Sequence, residues 1–153
     1  MEVVVMKRLI GFLTLCLIGL HTATVRASEN LGPAVITGFE SWHSNDRKDL
    51  NHHNTGIGLR INGGWTLGTY YNSIRRWSVY TGREWQWKLF GNSDHGLRFG
   101  AVGGAVSGYK GGVKALLLPE LIVDWKPVEA AVIVIPRYTK DPVTVALQLR
   151  YQF

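Results

Sequence analysis

The sequence predicts an all-β protein: an eight-stranded antiparallel transmembrane β-barrel that follows a cleaved signal peptide. Three observations carry that prediction. Beyond residue 27 the chain alternates apolar and polar residues with period two, interrupted by short turns. The alternating segments number eight, an even count, and their lengths suit a membrane strand of about 9–11 residues. One face of those segments is aliphatic and rich in tryptophan while the other carries charge, which puts the apolar side outward in lipid.

Residues 1–27 read as the signal peptide. Lys7 and Arg8 form a positive start, Leu9 to Leu20 a twelve-residue apolar run, and Val25-Arg26-Ala27 a small-residue cleavage site before Ser28. The run is shorter than the ~20 residues of a spanning helix, so a membrane anchor is the weaker reading. Cys16, within that run, is the only cysteine. Residues 28–153, read as one barrel domain, therefore offer no disulfide, zinc-thiolate site or thiol nucleophile. Removing residues 1–27 takes away Glu2, Lys7, Arg8 and Arg26 and lowers the formal net charge from +6 to +4. That surplus is compatible with an anionic partner without requiring one.

The strands are expected at 34–43, 55–62, 64–73, 77–89, 96–107, 115–125, 128–136 and 143–153. In the fourth, Trp77, Val79, Thr81, Trp85, Trp87 and Leu89 alternate with Ser78, Tyr80, Gly82, Glu84, Gln86 and Lys88. The fifth holds "GAVGGAVSG", whose glycines leave interior space or allow sharp curvature. In the eighth, Val143, Val145, Leu147, Leu149, Tyr151 and Phe153 share one face, and Thr144, Ala146, Gln148, Arg150 and Gln152 the other. That final alternation, ending on an aromatic, resembles the C-terminal signal of bacterial outer-membrane barrels.

Trp42, Trp65, Trp77, Trp85, Trp87 and Trp125 fall toward strand ends, as interfacial girdles do; ordinary core packing is the alternative for any one of them. A sheet in hydrocarbon must close, because open edges leave backbone amides unpaired. Eight strands enclose an interior that side chains fill or that just holds one small ligand. Arg60, Glu84, Arg98, Glu120, Asp124, Glu129 and Arg150 fall on inner faces and need partners there.

Export through the periplasm and a C-terminal strand ending there point both termini inward. Outer loops are then 44–54, 73–76, 108–114 and 137–142, with periplasmic turns near 62–64, 90–95 and 126–127. The outer loops collect Arg47, Lys48, Arg75, Arg76, Lys110, Lys114, Arg137 and Lys140 against Asp46, Asp49 and Asp141. Lipopolysaccharide phosphates are the anions such a rim would meet; a simply solvated rim is the alternative. The first loop lies within "SWHSNDRKDLNHHN", residues 41–54. His52 and His53 are adjacent and point apart in an extended chain, so no metal site is expected.

The motifs, in order, resemble the lipid A palmitoyltransferase family over residues 33–153. They are Trp42-His43 ending the first strand, Asp49-Leu50-Asn51-His52, and Gly56-Ile57-Gly58-Leu59. Asn72-Ser73 ends the third strand, with Trp77, Gly82 and Trp85 spaced beyond it. "LLLPELIVDWKPVEAAVIVIP" and "LRYQF" complete the likeness. The resemblance implies an eight-stranded outer-membrane barrel that moves an acyl chain from a phospholipid to lipid A, without a cofactor. It carries two catalytic positions onto His43 and Ser73, and a third, an aspartate in the family, onto Asn72. A neutral amide can orient a histidine but cannot stabilise its charged form. Arg47, Lys48, Arg75 and Arg76 become lipid and phosphate contacts, and Pro119 and Pro136 mark lateral lipid access. Glu84 falls where the family has a small residue at the pocket floor. A buried carboxylate there shortens the slot unless it is paired or neutral. The chain also departs from the family in having only Ser28 to Gly32 where an amphipathic helix would precede the first strand, and no proline in strand two.

Two readings follow. One is an acyltransferase of the Gram-negative outer membrane, with His43 as general base, Ser73 positioning or relaying, and Arg75 and Arg76 on phosphate. The other is a non-catalytic barrel on the same scaffold that binds lipid or lipopolysaccharide, since a fold does not imply its chemistry. A soluble lipocalin-like binder would expose too much apolar surface. The expected partners are phospholipid, lipopolysaccharide and the barrel-assembly machinery during insertion. Nucleic acid is not among them, and the barrel is expected to be a monomer.

Overall fold

Period-two alternation makes strands, and here the strands close on themselves. The computed structural model describes residues 31–44, 49–137 and 142–153. The expected signal peptide, Arg47 and Lys48 lie outside those residues. The fold is an antiparallel closed barrel of eight strands in sequence order: β1 (Ala34–His43), β2 (His53–Arg60), β3 (Trp65–Tyr71), β4 (Trp77–Gly91), β5 (His95–Tyr109), β6 (Gly112–Trp125), β7 (Val128–Ile135) and β8 (Thr144–Gln152). The start of β1, the end of β8 and the turns after β2, β4 and β6 lie at one end, the base; the other connections form the mouth.

Every strand after the first differs from its expected bounds by a few residues, and two of these differences have a clear local cause. The loop expected at 108–114 is a tight hairpin, because β5 runs to Tyr109 and β6 resumes at Gly112. Gly111 and Gly112, at φ 92° and 86°, supply the left-handed backbone such a turn requires. At the base, β2 ends at Arg60 rather than at 62, since Asn62–Gly64 form a short 3-10 turn closed by Ile61 N–H donating to Trp65 O at 2.8 Å.

The outward and inward faces separate cleanly. On β8, Val145, Leu147, Leu149 and Tyr151 are exposed, while Thr144, Ala146, Gln148 and Arg150 are buried. Trp42 and Trp77 stand near the mouth, and Trp65, Trp85, Trp87 and Trp125 near the base. The exposed side chains between the two sets include Ile57, Leu67, Val79 and Leu117.

Inside, the base is filled by a paired-charge layer. Arg60 donates to both oxygens of Glu129, at 2.9 and 3.0 Å, and to Glu84 at 3.2 Å. Arg150 reaches Glu84 and Glu120, each at 2.6 Å. Arg98 pairs with Asp124 at 2.5 Å and donates to Gln86 at 2.9 Å. Gln86 in turn donates to Glu84, and Gln152 to Glu129. Burying such charges is tolerable because each carboxylate meets a guanidinium, although Glu84 Oε2, Glu120 Oε1 and the Asp124 oxygens are buried without a hydrogen bond among the described residues.

Tyr80 lies across the wall just above this layer. A Cβ at Gly58 would sit 2.1 Å from its hydroxyl, and one at Gly68 2.6 Å away, so both positions need glycine for the ring to lie flat. Beside this layer and on toward the mouth runs an apolar cluster of Ile122, Ala131, Ile133 and Ala146, with Phe39, Leu118 and Ile135 packed against it.

Candidate functional site

A cavity of about 270 Å³ occupies the mouth half of the lumen. Its floor is Glu84, Arg150 and Thr66, and its walls include Ile36, Tyr70, Val102, Val106, Leu118 and Ile133. His43 and Ser73 belong to its lining at the mouth end. The arrangement is an apolar slot with polar groups at both ends, which suits a chain-like apolar ligand with a polar head.

Glu84 is buried at the floor with Arg60 and Arg150 on one of its oxygens. Pairing holds the carboxylate within the charge layer, and the slot persists above it.

His43 closes β1 on the inward phase. Its direct cross-strand partner on β8 is Thr144, and His43 Nδ1 lies 2.7 Å from Thr144 Oγ1. The ring also faces that of His52, with centroids 5.3 Å apart. His52 Nδ1 is hydrogen-bonded to Ser41 O at 2.9 Å, and the buried Asn54 amide donates to Ser41 Oγ at 2.8 Å. His53 points the other way, outward, where its Nδ1 pairs with Glu40 at 2.8 Å. The two neighbouring histidines thus sit on opposite faces, as strand geometry requires.

Ser73 begins the β3–β4 turn, lines the same cavity as His43, and accepts Asn51 N–H on its carbonyl at 2.8 Å. Asn72, beside it, serves the turn itself. Its Oδ1 accepts the N–H groups of Ile74 and Arg76, both at 3.0 Å. Its Nδ2 donates to Ser78 Oγ at 2.9 Å and to Gly108 O at 3.2 Å. Fully buried and with both ends of the amide committed, Asn72 is fixed in the wall rather than aimed at His43. A carboxylate could accept the two N–H groups but could not donate to Gly108 O. Arg75 and Arg76 are exposed at the turn tip, and Arg75 has φ 59°, the left-handed backbone that the turn imposes.

Both prolines sit where the β6–β7 ladder ends. The β6–β7 ladder climbs from Trp125 opposite Val128 to Glu120 opposite Ile133 and stops one residue short of Pro119, which has no N–H to give. Above that level β6 continues to Gly112 without a β7 partner, and Pro136 follows the last residue of β7. Leu116, Leu118, Ile135 and Pro136 at this break all line the cavity. A second break needs no proline: β2 begins at His53, but its pairing with β3 starts only at Gly56 opposite Tyr70.

Thr144 is the site residue that sequence reasoning did not single out. Its inward phase on β8 was readable, but its partner lies 101 residues away in the chain. No family of known proteins matches the sequence, and no curated protein matches it.

Proposed function

We propose that this chain is a barrel of the Gram-negative outer membrane, similar to the lipid A palmitoyltransferases, that transfers an acyl chain from a phospholipid to lipid A. One observation carries the reading: an apolar cavity, lined in part by residues at the β6–β7 ladder break next to Pro119 and Pro136, has His43 and Ser73 on its mouth and a paired carboxylate beneath it. The exposed aliphatic band between the two tryptophan sets supports placement in a membrane. In the proposed transfer the acyl chain lies in the slot with its ester at the mouth. His43 takes a proton from the attacking hydroxyl of lipid A, Thr144 holds the His43 ring, and Ser73 positions the carbonyl. The free lysophospholipid leaves once the proton has passed to it. Arg75 and Arg76 face the phosphates of the acceptor.

A second reading rests on Asn72. With its amide built into the turn, no acidic residue is placed there to stabilise a charged histidine, which favours a barrel that holds lipid without transferring it. Mass spectrometry of lipid A from a Gram-negative host lacking its own palmitoyltransferase separates the two. Expression of the wild type should add one acyl mass, lost in His43→Ala and Ser73→Ala at matched barrel levels. Unchanged lipid A around a folded, inserted wild-type barrel would refute transfer and leave the lipid-holding reading.

A further inference from the structure

Arg83 is an outward-facing cation on a wall that is otherwise free of charge. The outward positions of β3 are Trp65, Leu67, Thr69 and Tyr71, and those of β4 beside Arg83 are Trp77, Val79, Thr81, Trp85, Trp87 and Leu89. Across β5 the same face carries Phe99, Ala101, Gly103, Ala105 and Ser107. Arg83 is the direct cross-strand partner of both Trp65 and Gly103. Its guanidinium carbon lies 5.9 Å from the ring centre of Trp65 and 5.9 Å from that of Trp85. Its Nε donates to Gly63 O, in the base turn, at 3.2 Å, which draws the head toward the base end of the wall. Among the described residues no carboxylate pairs with it; Glu84, its neighbour in the chain, points inward to Arg60 and Arg150.

The surface beside this cation is hollowed. Trp65, Thr81, Arg83, Trp85, Gly103 and Ala105 line a shallow depression, and the Trp85 ring lies over Gly103, where a Cβ would come within 3.0 Å of it. The Trp85 ring thus forms one side of a trough that leads from Arg83 past Thr81 and Ala105 up the apolar band. A cation at the edge of hydrocarbon is stable when its stem lies on apolar surface and its head reaches the polar boundary. Two indoles keep the planar guanidinium in place, as they would not keep a lysine. What this arrangement lacks is a counter-anion, and the anion that sits beside an apolar chain at that level of a membrane is a lipid phosphate.

We propose that Arg83, Trp65 and Trp85 form an exterior phospholipid site at the base end of the barrel, with the phosphate on Arg83 and an acyl chain in the trough along Thr81 and Ala105. It is separate from the interior cavity, and it rests on the membrane reading above. The test is native mass spectrometry of the full chain released from detergent with dioleoylphosphatidylglycerol or, as the phosphate-free counterpart, dioleoylglycerol. The wild type should retain the phospholipid and lose it about tenfold more readily as Arg83→Gln, with dioleoylglycerol unaffected by the change. Trp85→Leu, which keeps the charge, should weaken retention about threefold. Inorganic phosphate at the lipid's concentration should not displace it; displacement would reduce the site to an anion contact and overturn the lipid assignment. Equal retention by folded wild type and both variants overturns the site while leaving the membrane reading intact. A wild type that stays dispersed in buffer and fails to enter phosphatidylethanolamine–phosphatidylglycerol vesicles ends both.

Discussion

The two halves of the lumen share one backbone and one alternation, yet they solve opposite problems. At the base, Arg60, Arg98 and Arg150 interlock with Glu84, Glu120, Asp124 and Glu129 and leave no room. Toward the mouth, Val102, Val106, Leu118 and Ile133 line a cavity instead of filling it. Eight strands set a lumen only as wide as side chains can fill. Long, planar, hydrogen-bonding side chains therefore plug it, and short aliphatic ones leave a slot. The difference teaches that the base supplies a rigid bottom against which a slot can be defined, and that a ligand's reach into the barrel is set by a layer of ion pairs rather than by packed hydrocarbon.

Breaking the base should cost most. Arg150→Met strands Glu120 and leaves Glu84 with Arg60 alone, and ~3–5 kcal/mol of unfolding free energy should disappear in urea titrations of the folded barrel. A loss below ~1 kcal/mol would mean the charge layer is solvated and not a plug.

The boundary between the halves is the next place to probe. Gly58→Ala drives a methyl into the Tyr80 hydroxyl and should destabilise by ~1–3 kcal/mol. Tyr80→Phe in the same chain should recover part of that in a double-mutant cycle, and purely additive effects would show that the contact is not the cause.

In the mouth wall, Asn72→Asp tests whether the amide is structural. The change leaves Gly108 O without its donor, so a loss of ~1–3 kcal/mol is expected on thermal unfolding, with no gain in lipid A acylation. A rise in acylation at unchanged stability would restore the position to catalysis.

Smallest in stability should be Val102→Phe, whose ring enters open slot rather than packed core, for a change under ~1 kcal/mol. Under the proposed transfer its effect should show in the product instead, as a shorter or absent added acyl mass on lipid A. Full-length transfer by this variant would separate the cavity from the chemistry.

Much of this was legible in the residues. The alternation of β8 announces its two faces, and the inward charges could be named as needing partners because each falls on the polar phase of its strand. The tip at Lys110-Gly111 was not legible as a tight hairpin, because its many glycines also suit a longer loop. Nor was the role of Asn72 readable: its amide meets Ser78 six residues on and Gly108 thirty-six residues on. Arg83 looks like an ordinary charged residue in the chain, and only the register that sets it between Trp65 and Gly103 gives it two indoles and a trough.

By itself, then, the sequence determined that there would be eight strands, which face of each would be apolar, and which side chains would have to share the inside. Those properties follow from a two-residue repeat along a single strand, so they need no knowledge of neighbours. The tertiary structure decided which arginine meets which carboxylate, that His43 lies against Thr144, and where the ladders end. These depend on register and closure, which bring residues from opposite ends of the chain to the same height in the barrel and which no local pattern encodes.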